Sequence, residues 1–211
     1  IRVLNGLPSG TLIPWLSSNR SGFMYMDSAD NNTLKQVAVS EAATDVTSWV
    51  GSYGASSNLR VGNDTNVSLS GTLTDNLTIS SLGFFTKDAT QLTLASGKTL
   101  TLDSGALAFK AGGATAHVTM ANGFLTSGTD QLYLHAGDSS HSGSLYIQSV
   151  VTGADMDVLK AGLAGIFFSG SSANTYTGKT VVLGGTLSLS KPDHVVSIPG
   201  DLVVHNGGAV A

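Results

Sequence analysis

The chain has 211 residues, enough for a substantial core in one or two domains. Only 11% of them are charged against a 41% hydrophobic share, with a net charge of −4 and no run of Lys or Arg. This excludes a disordered chain and a phosphate-binding surface for nucleic acid. Cysteine is absent, so disulfides and thiolate metal sites are excluded as well.

Residues 1–65 carry strand-like stretches at 10–15, 23–26 and 34–39, separated by clusters of Asn, Asp and Ser. Residues 41–53 are less regular and read as a loop or one short helix; they hold Trp49 and Glu41, the chain's one glutamate. Together with Trp15, Phe23, Met24, Tyr25 and Met26, the segment reads as a small β-rich unit that flanks or caps a larger domain.

Residues 66–211 read as many short strands. Val67-Ser68-Leu69, Leu77-Thr78-Ile79, Leu92-Thr93-Leu94 and Leu100-Thr101-Leu102 alternate apolar with hydroxyl side chains. Leu132-Tyr133-Leu134, Leu145-Tyr146-Ile147, Leu187-Ser188-Leu189 and Leu202-Val203-Val204 follow. A period of two places one face in a core. Turn signals separate the strands at Ser96-Gly97, Asp103-Ser104-Gly105, Gly112-Gly113, Asn122-Gly123, Ser127-Gly128, Gly184-Gly185 and Asn206-Gly207-Gly208. No capped helical period interrupts them.

Strands of three to five residues are short for a sandwich, and the recurring triplets suit like stacked on like. The expected fold is therefore all-β, a parallel β-helix or β-solenoid with coils of roughly 20 to 25 residues. Leu77, Ile79, Leu92, Leu94, Leu100, Leu102, Leu187 and Leu189 are the expected inward set.

Asn174-Thr175-Tyr176-Thr177-Gly178, then Thr180, Val182 and Gly185-Thr186-Leu187, resemble the autotransporter-associated β-strand repeat, whose signature runs N-T-Y-T-G-x-T-x-V-x-x-G-T-L. Residues 160–170 are similar to the K-x-G-x-G-x-L-x-L-x-G lead-in of that family. The match covers residues 156–211. Departures are Ala164 in place of Gly, Lys179 in place of a small residue, and Ser171-Ser172 lengthening the link to Asn174. The resemblance implies a right-handed β-helix passenger, exported and displayed outside a Gram-negative-type cell; the roles known in that family are mostly adhesive, so it implies location and shape more than chemistry.

In physical terms, Gly178 and Gly185 are expected at positive φ, where a β-carbon is unwelcome. Asn174 suits a turn or a stacked polar ladder, and Tyr176 is expected to cover an apolar edge with its hydroxyl wet.

The sequence carries no recognisable catalytic constellation. Asp155 and Asp157 are the closest acidic pair and read as a solvated turn edge. His117, His135, His141, His194 and His205 lack zinc-ligand spacing and read as surface or strand-edge residues. There is no Gly-x-Ser-x-Gly elbow, and Gly184-Gly185 opens no helix that would hold a phosphate. No catalytic, cofactor-binding or metal-binding residue is assigned.

The chain opens at Ile1 without a leader pattern, and its last residues, 202–211, read as the start of another repeat. The longest apolar stretch, residues 161–168, is far below the roughly 18 residues of a membrane span. The expectation is a segment of a longer secreted protein: a non-catalytic stalk, adhesin segment or fibre subunit. Its expected partners are a further coil, from its own continuation or from another copy, and surface glycans or neighbouring cells. The alternative is a carbohydrate-binding or carbohydrate-cleaving β-helix. That alternative would show a line of exposed aromatics with two carboxylates within about 10 Å.

Overall fold

The computed structural model describes residues 53–62, 70–113, 116–137 and 143–211 in full, and the backbone alone of four strands before them. Three of these, β1 (Leu12–Ser18), β2 (Gly22–Met26) and β3 (Leu34–Gln36), form an antiparallel sheet. Among the described residues every later pairing is parallel.

The next strands are β4 (Thr44–Asp45), β5 (Asn58–Val61), β6 (Gly71–Leu73), β7 (Leu77–Thr86), β8 (Thr90–Leu94) and β9 (Thr99–Ala111). After them come β10 (His117–Ala121), β11 (Phe124–Ser127), β12 (Gln131–Ala136), β13 (Ser144–Ile147) and β14 (Val150–Val151). The last are β15 (Asp157–Ala161), β16 (Gly165–Phe168), β17 (Thr180–Val182), β18 (Gly185–Leu189), β19 (Leu202–Val204) and β20 (Gly208–Val210).

A seven-stranded sheet runs β20-β18-β16-β13-β10-β8-β6. A ten-stranded sheet runs β19-β17-β15-β12-β9-β7-β5-β4, with β11 beside β9 and β14 beside β11. The chain visits one sheet, turns, and visits the other, so that successive coils stack into a parallel β-solenoid of about six turns. Its parallel ladder takes in β4 and β5, upstream of residue 66. No helix occurs among the described residues.

Like stacks on like because a parallel ladder places each residue directly over its counterpart one coil away. One inward column runs Val118, Leu145, Ile166, Leu187, Val210. A second runs Leu92, Met120, Ile147, Phe168, Leu189. Phe84 stands over Phe109, and Leu77 over Leu100, which is in turn paired with Leu125. Leu189 apart, these residues form one continuous core or, as Leu77 and Val210 do, pack against it. At roughly 25 cal/mol per Å2, burial of such columns is the main term holding coil to coil.

Of the expected inward set, Ile79, Leu92, Leu94, Leu100, Leu102 and Leu187 are fully buried, and Leu77 packs against the core half-buried. Leu189, paired on one side with Phe168, is 36% exposed. Two strands are far longer than three to five residues: β7 has 10 and β9 has 13. The expected turn at Asp103-Ser104-Gly105 is only a kink within β9. Gly105 takes φ +74°, and the Ser104 hydroxyl donates to the Ser80 carbonyl at 2.6 Å, so pairing resumes on both sides.

Ala106 and Ala108 belong to opposite-facing alternation from their core neighbour Leu107, yet they are buried too. The backbone of β1 and β2 runs against β9, and that of β1 against β12. The side chains of Trp15, Phe23, Met24, Tyr25 and Met26, together with Trp49, Val67-Ser68-Leu69 and His141, lie outside the described residues.

Candidate functional site

The motif residues 174–180 are spent on the neighbouring coils. Asn174 Oδ1 accepts from the Val151 amide at 3.1 Å, while its Nδ2 donates to the Ser197 carbonyl at 2.7 Å. The carboxamide thus stands in for a peptide group, bridging one coil behind and one ahead, just where the strand pairing of β11 with β14 has run out. Thr175 Oγ1 donates to Thr152 Oγ1 at 2.9 Å, and the Asp155 amide donates to Thr177 Oγ1 at 2.7 Å. Tyr176 is fully buried, not wet at its hydroxyl: the OH shares a 2.5 Å hydrogen bond with Thr180 Oγ1, and burial pushes its pKa up to about 12.

Gly178 is required by space, not by positive φ. A β-carbon there would collide with the Met156 carbonyl and the Asp157 carboxylate. Gly185 does take φ +63°.

Lys160 is the least expected residue of the core. It stands in an inward column that otherwise reads Leu82, Leu107, Leu134, then Val182 and Val204. No part of it reaches solvent. Its stem continues the apolar column, and its ammonium donates to the carbonyls of Gly162 at 2.7 Å and Gly184 at 2.6 Å. Desolvation lowers its pKa to about 8. His135, on the strand paired with it, is buried and not at the surface; desolvation, then the Lys160 charge, lower its pKa to about 4.

Asp155 and Asp157 are not brought together as a pair. Asp155 sits exposed in a turn at φ +54°, whereas Asp157 Oδ1 accepts from the Lys179 amide of the next coil at 2.7 Å. Among the described residues no three His, Asp or Glu gather where they could hold a metal ion. His194 and His205 are exposed singly.

A short aromatic line crosses the outer face of the seven-stranded sheet. Tyr146 stacks on Phe167 with ring centroids 4.7 Å apart, and His117 meets Tyr146 edge-on at 5.9 Å. The rings cover one another's faces. Their register neighbours Thr119, Ser144, Gly165 and Ser188 include no carboxylate.

A concavity lies at one corner of the solenoid. It is an open groove of about 560 Å3 crossing four coils, floored by Phe124, Val150 and Gly123. Its walls include Asn122, Gln148 and the Ser171-Ser172 corner, and none of its lining residues is charged. The wall at Gly170-Ser171-Ser172 includes the two-serine extension that departs from the repeat signature, and both serines are exposed. Lys191 Nζ pins it by donating to the carbonyls of Ser169 and Ser172, each at 2.9 Å. Sequence reading noticed that extension but not the groove, since its walls come from corners remote in sequence.

The fold defines the chain as a parallel β-solenoid. No protein-family model, curated protein or solved structure matches it.

Proposed function

We propose that the chain is an extracellular structural or adhesive module, a stalk, adhesin segment or fibre subunit of a surface-displayed passenger protein, that works without catalysis. The observation that carries this reading is where its polar side chains go. Asn174, Thr175, Thr177, Asp157, Lys160 and Lys191 all bond to residues of another coil. Groups that a catalytic solenoid turns toward a substrate are here used to hold the rod together. The resemblance of residues 156–211 to the autotransporter-associated repeat supports the extracellular setting.

The test pairs immunolabelling of intact producing cells, with antibody to residues 143–211, with a turnover screen on pectin, glucan and peptide substrates. The expected result is surface label and no turnover. Label that appears only after permeabilisation, or turnover abolished by Asp155→Asn or Asp157→Asn, would overturn the reading.

A further inference from the structure

We propose that the corner groove binds a neutral oligosaccharide laid along the solenoid axis. The inference deepens the adhesive reading and rests on it for its setting. Four coils contribute to the groove, and three inter-coil steps of ~4.8 Å make it about 14 Å long, the span of a short glycan. Its volume of about 560 Å3 falls within the usual range for a ligand site.

The lining chemistry selects the ligand class. Asn122 and Gln148 are exposed, and their carboxamides make no intramolecular hydrogen bond among the described residues; the same holds for the hydroxyls of Ser96, Ser171 and Ser172. Carboxamides and hydroxyls both donate and accept, which matches sugar hydroxyls that do the same. Phe124 and Val150 supply an apolar floor for the C–H face of a pyranose ring. With no cation in the lining, a uronate, sulfate or phosphate group gains nothing there. A peptide in β-augmentation would need a free strand edge, and the groove walls are turn corners instead.

The groove is also preformed. Gly97 leaves open space, with nothing within 4 Å of where a β-carbon would stand. The Asn122-Gly123 corner is tight, with both residues at positive φ, 58° and 52°. Lys191 fixes the serine wall. The stacked Tyr146 and Phe167 do not offer an equal platform, because each ring already covers a face of the other.

The experiment is a titration of the 15N-labelled chain with cellotetraose, laminaritetraose, maltotetraose and mannotetraose, with tetragalacturonate as the anionic comparison. At least one neutral probe should shift the amides of Gly97, Gly123, Phe124 and Ser172 saturably, and tetragalacturonate should bind less tightly than that probe. The double variant Asn122→Gly/Gln148→Ala should weaken binding at least tenfold with an unchanged melting temperature. Lys191→Met, which frees the serine wall, should also weaken it. No saturable shift with any neutral probe, tighter binding of tetragalacturonate, shifts centred on Tyr146 and Phe167, or full affinity in the double variant would each overturn the proposal. Such a failure would leave the inter-coil bonding, read by unfolding, untouched.

Discussion

Lys160 and Gly185 share one space: a β-carbon on Gly185 would land on the Lys160 ammonium and 2.5 Å from the Gly162 carbonyl beneath it. The glycine therefore serves two ends. It takes a left-handed φ of +63°, and it leaves room for a cation that caps the carbonyls of two coils.

Gly185→Ala is expected to destabilise by roughly 2–4 kcal/mol, combining left-handed strain with displacement of the ammonium. Gly185→Val should cost more, since branching at Cβ resists positive φ. In a double-mutant cycle, Gly185→Ala should cost less in a Lys160→Ala background, because the collision is gone. Additive denaturant midpoints would show that the two residues do not interact.

Lys160 and His135 set a pH signature. The folded pKa of His135, about 4, lies below its ordinary 6.5, so between those values the unfolded chain binds more protons. Stability should therefore fall as pH drops from 6.5 to 4. Lys160, at about 8 against 10.5, should add stability as pH rises through that interval. Melting curves of His135→Phe should lose the first slope relative to wild type, and those of Lys160→Met the second. Wild-type slopes in both variants would place these side chains in solvent.

Leu187→Ala is expected to cost roughly 2–4 kcal/mol, through lost transfer energy and a cavity in a filled column. Leu189→Ala, two residues on and 36% exposed, should cost less than half as much. Equal urea midpoints for the two would mean that the column ending in Leu189 is as well covered as that of Leu187.

The final turns present Leu202, Val203 and Val204, 43%, 39% and 46% exposed, on the outer edge of the ten-stranded sheet. Such an edge pairs readily with a further coil, from the chain's own continuation or from another copy. A second copy stacked head to tail gives an open fibre. Sedimentation velocity at tens of micromolar should show species larger than a monomer, reduced by Val203→Lys. A monomer for wild type and variant alike would rule this contact out.

The strands and most of the core were legible because period-two alternation reports burial directly, as at Leu145 and Ile147 flanking Tyr146. Gly-containing corners were legible for the same local reason. Lys160 was not, since lysine ordinarily signals a solvated face. Its burial depends on the carbonyl of Gly184, 24 residues away. The available sign was its register: it follows Val158 by two, on the inward side of β15. Asn174 was legible as a polar ladder residue, but not its two partners, each 23 residues distant.

The motif's polar side chains hold one coil to the next. Denaturant unfolding of Asn174→Ala tests it most directly. Removing the carboxamide strands the buried Val151 amide, at about 1–3 kcal/mol, and takes the donor from the half-buried Ser197 carbonyl. A loss of roughly 2–4 kcal/mol is predicted, with faster hydrogen exchange at Val151. A wild-type midpoint and wild-type exchange at Val151 would contradict the account.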